Sequence, residues 1–255
     1  MSKLYTLPIF FGWLTAAVGP SARAQDSTGL RAREARLIRA DDVQPGIYFP
    51  QAPRPGEWRK SIGAVFTTTP PELTEEIRVT VPAIDANLQL GLSKHWFLVS
   101  RLQTQILQSN LQLGFRWATP LNDRFYVSAG NDVAGWLGAL AIRNVFDSQA
   151  AGLLSYPNVS VGYRLTRELQ LTAKGETILD FFYRSRVGTL AVTNRQLRVD
   201  GYAFTFMLEQ PFYGKRHVSL GLRTAYANFN WQFWSLYSTF NRNLIFPQLI
   251  FNFIL

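Results

Sequence analysis

Two histidines and no cysteine carry all the near-neutral proton-transfer chemistry of this 255-residue chain. An imidazole that activates a serine or a water must lie within hydrogen-bond reach of it, usually oriented by a third group. His95 follows Ser93 and Lys94, and His217 closes the stretch Pro211 to His217; both segments read as short polar turns. This predicts solvated turn histidines and no hydrolytic site. Asp41-Asp42 and Glu75-Glu76 are simple acidic pairs, without the clustered ligands that a metal needs. No glycine-rich loop leads into a helix where a phosphate could sit, so neither metal nor cofactor is expected.

A second set of residues could act on ions by lining a passage. Arg101, Gln103, Gln105, Gln112, Arg116, Asp132, Arg164, Lys174, Glu176 and Arg223 all fall on one phase of alternating segments. Cationic and amide groups on a common face could line a pore that favours anions. The competing reading is that they pair with one another to fill a narrow interior, because unpaired buried charge is expensive. Gly91, Gly114, Gly130, Gly162 and Gly221 share that phase, where a missing side chain either permits tight curvature or leaves a thin water path.

The elements holding these groups read as strands. From Trp58 onward, runs of roughly ten residues alternate apolar with polar or small residues and are separated by polar turns. The clearest case is Leu111, Leu113, Phe115 and Trp117 against Gln112, Gly114, Arg116 and Ala118. Arg or Gln facing lipid costs several kcal/mol near the bilayer centre, so the Leu and aromatic phase must face outward (on the order of 2–4 kcal/mol for Arg). Strands are expected at Trp58 to Thr68, Glu76 to Leu92, Trp96 to Leu107, Leu111 to Thr119 and Arg124 to Trp136. Five more follow at Leu153 to Leu165, Leu169 to Phe182, Gln196 to Glu209, Val218 to Asn230 and Asn243 to Leu255. A bulge near Pro82 would reconcile Ile77, Val79 and Val81 with Ile84, Ala86, Leu88 and Leu90, which lie on the other phase. Ser109-Asn110 is read as an unusually short external turn, with longer external loops at Thr69 to Glu75, Leu137 to Gly152, Tyr183 to Arg195 and Trp231 to Arg242. The fold class is therefore all-β, a transmembrane antiparallel up-and-down β-barrel of about ten strands over residues 58–255, with eight or twelve as alternatives. Trp231, Phe233, Trp234, Tyr237 and Phe240 are assigned to the aromatic girdle where membrane meets water, a loop platform for a ligand being the other reading.

The N-terminus reads as a secretory signal peptide over residues 1–24: Lys3, an apolar run from Leu7 to Val18, then Ala22-Arg23-Ala24 before Gln25. Its removal takes the formal charge from +9 to +7 by deleting Lys3 and Arg23. Residues 25–57 are broken by Pro45, Pro50, Pro53 and Pro55 and cannot form a central strand, so they are expected as a periplasmic arm, or else as a plug in the lumen. Ile47, Tyr48 and Phe49 could anchor this segment to the barrel mouth. The basic balance suits anionic lipid headgroups and lipopolysaccharide phosphates, with Arg143, Arg184, Arg186 and Arg195 in or beside outer loops. No cluster of basic and aromatic residues suggests nucleic acid.

Leu249, Phe251, Phe253 and Leu255 occupy every second position at the C-terminus. With the alternating strands, this resembles the broad class of small bacterial outer-membrane barrels, whose last strand is read by the barrel-assembly machinery and usually ends in an aromatic residue. The resemblance implies an exported, membrane-inserted protein in contact with outer-membrane lipid and lipopolysaccharide. Barrel proteases and lipid hydrolases of that class place histidine at the outer rim, which neither His95 nor His217 matches. Two non-enzymatic uses stay open: a narrow passive channel for small solutes, or a closed structural barrel that binds a partner or lipopolysaccharide through its loops or N-terminal arm.

Overall fold

The structure is a computed structural model that describes residues 46–74, 78–142, 146–166, 168–187, 190–213, 216–235 and 242–255. The signal peptide, the first part of the arm, Tyr237, Phe240 and Arg143 lie outside the described residues. The strands are β1 (Trp58–Thr68), β2 (Thr80–Gly91), β3 (Trp96–Thr104), β4 (Gln108–Pro120), β5 (Phe125–Ile142), β6 (Phe146–Arg164), β7 (Gln170–Val187), β8 (Leu190–Asn194), β9 (Arg198–Tyr213), β10 (Arg216–Ala227) and β11 (Leu244–Ile254). Neighbours pair antiparallel around the ring, and β1 closes on β11 from Ser61↔Ile254 to Thr67↔Gln248. β7 pairs with β9 over Gln170 to Asp180 and with β8 over Tyr183 to Val187, so β8 and β9 share one place in the wall. The result is a closed ring of ten strands.

Closure follows from the side-chain pattern. On β4, Leu111, Leu113 and Phe115 face out while Asn110, Gln112, Gly114 and Arg116 face in; on β11, Ile245 and Leu249 face out while Phe246, Gln248, Ile250 and Asn252 face in. The outer face is thus a Leu and Phe surface, with Leu113 and Leu222 59% and 64% exposed. An apolar exterior around a polar interior inverts the pattern of a protein folded in water, and it is stable where lipid covers the outside.

Several boundaries differ from the sequence expectation. The β3–β4 turn is Gln105 to Leu107, and Ser109 and Asn110 are strand residues opposite Thr104 and Gln103. Asn110 is polar because it faces the lumen, where it is fully buried, and Ser109, on the opposite phase, pairs its hydroxyl with Thr104 at 2.8 Å. Within the expected long loops 137–152 and 183–195, residues 137–142, 146–152, 183–187 and 190–194 are instead extensions of the wall, with β5 and β6 paired from Phe125↔Tyr163 to Ile142↔Phe146 and β7 and β8 from Tyr183↔Asn194 to Val187↔Leu190. Gly138 and Gly152 resemble loop composition but are small because large side chains press on them; Trp234 fills the space over Gly138, and Trp136 that over Gly152. No register shift occurs across Pro82, which pairs with Phe66, so the expected bulge is absent between β1 and β2. Val81 and Ala83 simply face an interior that is apolar at this level.

The aromatic girdle also lies elsewhere. Trp96 stacks on Phe115 at 4.6 Å, and Phe125 meets Tyr163 at 4.7 Å, on the outer face near the end that carries the termini. Trp231, Phe233 and Trp234 are instead buried inside the opposite mouth.

Replacing outward-facing Leu222 with Arg should lower stability by about 2–4 kcal/mol, read by denaturant titration of the protein refolded in lipid vesicles. An unchanged midpoint would mean that this face is not covered by lipid.

Candidate functional site

The lumen is filled in three layers. At the terminus end, residues 46–51 enter the barrel as a plug, so this part of the N-terminal segment is not a free arm. Pro50, Pro53 and Pro55 keep it out of the sheet, and its backbone N–H groups then need acceptors of another kind. Glu209 on β9 supplies them: its carboxylate accepts from the N–H of Ile47 (2.7 Å), Tyr48 (3.1 Å) and Phe49 (2.8 Å), and from the Ser219 hydroxyl (2.9 Å). Tyr48 projects further in. Its hydroxyl donates to Asp85 (3.1 Å) and accepts from Asn252 (2.8 Å) and Asn87 (3.2 Å), while its ring packs on Val65, Met207 and Ile250. Phe49 packs on Tyr126, with the Arg164 guanidinium over both rings and its Nη2 donating to Gln51 at 3.1 Å.

The chain leaves the plug through a tight turn at Gly56, whose φ of +79° favours glycine. Glu57 braces that turn. Partial burial raises its proton affinity, but the Arg54 N–H and the Arg59 guanidinium outweigh it and hold the carboxyl below the ordinary carboxylate range.

The middle layer is a belt of ion pairs running most of the way around the wall. Asp85 on β2 takes two bonds from Arg101 on β3, at 2.7 and 3.2 Å. Arg116 on β4 forms a two-pronged pair with Asp132 on β5. Lys174 bridges Asp132 (3.6 Å) and Glu176 (2.7 Å), and Arg223 on β10 pairs with Glu176 and reaches Gln248 on β11 at 3.2 Å. Arg101, Arg116, Lys174 and Arg223 thus face Asp85, Asp132 and Glu176, leaving one positive charge in excess. The inward glycines are seats for these groups and for the plug: a Cβ on Gly114 would strike the Asp132 carboxylate, and one on Gly162 would strike Phe49 and Pro50.

The far layer is apolar. A loop, with Trp231 to Phe233 in a 3-10 turn capped by the Asn230 side chain, folds into the mouth against Trp136, Leu154, Ile178, Leu244 and Phe246. Gln232 is its polar hinge: its Oε1 accepts from Thr67 (2.6 Å) and Gln248 (2.9 Å). Among the described residues, cavities of about 30 and 40 Å³ lie between the layers, room for about two or three waters each.

The inner-phase residues therefore come together as follows. Arg101, Gln103, Gln112, Glu176 and Arg223 line the first cavity, and Arg116, Asp132 and Lys174 join Arg101 at the second. Arg164 serves the plug, and Gln105 sits in the β3–β4 turn beside Gln108. His95 holds the Ala118 carbonyl through Nδ1 at 3.0 Å. His217 is a buried strand residue in β10, not a solvated turn residue. Three strands separate the two histidines around the ring, and the nearby Ser219 hydroxyl donates its hydrogen bond to Glu209 and not to His217. Sequence reading missed Glu209 and Asp85 as organising groups. Asp85, Asn87 and Gln89 stand at alternate positions of β2, which was the available signal.

Ring closure with inverted polarity defines a transmembrane β-barrel of the outer-membrane type. No family model matches the chain, and no curated protein matches it. Among solved structures, the translocator domain of the autotransporter NalP from Neisseria meningitidis is similar at TM-score 0.42 and 9% identity, covering 90% of this chain and 96% of that one. An outer membrane channel from Pseudomonas putida F1 is similar at TM-score 0.37 and 10% identity, over 84% of this chain and 100% of that one. The NanC porin is similar at TM-score 0.37 and 9% identity, over 76% and 98%. The class of this chain is read from its own strand ring and side chains.

Asp132→Asn would leave Arg116 and one side of Lys174 unpaired in the lumen, and should cost about 3–5 kcal/mol in unfolding. The double variant Arg116→Gln/Asp132→Asn should recover a large part of that loss; strictly additive losses would show that the pair is not coupled.

Proposed function

We propose that the mature chain, released after Ala24, is a bacterial outer-membrane barrel whose narrow lumen serves as a small-solute channel held shut by its own N-terminal segment. The observation that carries this reading is the Glu209 clamp. One buried carboxylate holds three consecutive backbone N–H groups of the plug, and no strand pairing fastens that segment to the wall. Contacts of this kind exchange for water at modest net cost, and much of the wall they would uncover is polar: Asp85, Asn87, Gln89 and Asn252. The belt's single excess positive charge gives a weak preference for anions.

The exposure of Arg184 and Arg186 on the extension of β7 supports contact with lipopolysaccharide phosphates, although Arg186 also reaches Asp147 at 3.7 Å. A second reading, a closed barrel that acts through its surface, is favoured by the small size of the two internal cavities.

Planar-bilayer recording of the mature protein separates these readings. Wild type should be mostly closed with rare small steps. Glu209→Gln leaves fewer charge-assisted bonds on the plug and, at about 2–3 kcal/mol, should raise open probability roughly 30- to 150-fold. Gly162→Leu should act in the same direction by displacing Phe49 and Pro50. If both variants insert and fold but stay as silent as wild type, the channel reading fails and the closed barrel stands.

A further inference from the structure

Among the described residues, the ion-pair belt holds one more cation than it has carboxylates. Arg101 sits on Asp85, Arg116 on Asp132 and Arg223 on Glu176, each a guanidinium against its own carboxylate. Lys174 has none of its own: it shares Glu176 at 2.7 Å and Asp132 at 3.6 Å with those arginines. Glu209, toward the terminus end, is taken by three plug N–H groups and the Ser219 hydroxyl. The surplus charge of the belt therefore falls at Lys174, and a buried charge without a counter-ion is costly.

The cavity of about 40 Å³ adjoins this surplus, with the plug residues Ile47 and Tyr48 on its terminus side. The surface it meets is mainly cationic. The side chains of Arg101, Arg116 and Lys174 keep 15%, 13% and 18% of their surface, against 4% for Asp132 and 6% for Glu176.

Spare donors face the same space. Among the described residues, Nη1 of Arg101, Nη1 of Arg116, Nε2 of Gln112 and Oγ1 of Thr205 have no acceptor, and all four carry accessible surface on residues that line the cavity. The acceptors around them are already in use. Both oxygens of Asp132 are held by Arg116, and those of Glu176 by Arg223 and Lys174. What the cavity lacks is a negative charge that accepts hydrogen bonds.

We infer that this cavity binds one small monovalent anion, of halide or nitrate size, facing Lys174, the free nitrogens of Arg101 and Arg116 and the Thr205 hydroxyl. A single negative charge balances the belt, and room for about two or three waters admits a halide but no sugar acid or phosphate ester. The site belongs to the closed barrel, so it does not rest on release of the plug.

Refolding the mature protein into lipid vesicles in sodium bromide or sodium gluconate, at constant ionic strength, and titrating it with urea tests this. Linkage multiplies the folded-to-unfolded ratio by one plus the anion concentration over Kd, so each tenfold rise in bromide above Kd should raise that ratio roughly tenfold, with no rise in gluconate. Lys174→Met leaves three matched ion pairs and should lose the bromide response. Thr205→Val, which keeps the side-chain shape and deletes one donor, should need roughly tenfold more bromide for the same rise, and it decides the matter if Lys174→Met does not fold. Crystals of the barrel refolded in bromide should give an anomalous-scattering peak within hydrogen-bond reach of Lys174 Nζ. A wild type indifferent to bromide, as a deprotonated Lys174 would make it, an equal bromide response in wild type and Thr205→Val, or bromide peaks confined to the protein surface would each overturn the proposal. No current is measured, so failure of the channel reading and failure of this site are told apart.

Discussion

Lipid offers no hydrogen bonds, and that constraint governs the rest of the molecule. Backbone N–H and C=O groups in the wall must find partners within the protein, and the return of β1 to β11 supplies them around the ring, with β2 from Thr80 to Ala83 paired on one side only. Closure then creates a second demand. A ring this small encloses a volume too narrow for bulk water and too large to leave empty, so its inward side chains must fill it. The chain meets that demand with paired charge at mid-height, with aromatic packing at one end and with its own N-terminal segment at the other.

Charge as a filler has a specific consequence. Each guanidinium of the belt occupies space between strands that are not always neighbours: Arg223 on β10 meets Glu176 on β7 across the intervening β9. The belt therefore ties the wall together through the lumen, in addition to the ladders within it. Removing one member costs far more than its own bond, because its former partner keeps its desolvation penalty.

The strand ring was largely legible in the chain because polarity inversion leaves a period-two signal that few other folds produce. Alternation on β4 and β11 located the lipid face without ambiguity, and β1 has the bounds that its pattern predicts. Legibility failed where one residue type carries two meanings. Asn110 resembles a turn residue but is polar because it faces the lumen, and Gly138 and Gly152 resemble a loop but are small because indole rings press on them. Trp231, Phe233 and Trp234 read as girdle because aromatic residues serve equally well at a membrane surface and in a packed mouth. The ion pairs were legible as a set of inward groups but not as partners, since pairing depends on register across strands that sequence spacing does not encode. The plug was least visible: its backbone N–H groups carry the contact with Glu209, and backbone has no sequence signature.

The two ends of the lumen are filled by different physics. The plug is held through a buried carboxylate and a tyrosine hydroxyl, contacts whose strength depends on ionisation and on competing water. The opposite mouth is held by buried indole and phenyl surface, whose packing is indifferent to charge. The β3–β4 hairpin ends on this apolar side, and from Thr80 to Ala83 β2 is paired with β1 alone. Polar contacts at one end and aromatic packing at the other thus fill the same narrow ring by two different means.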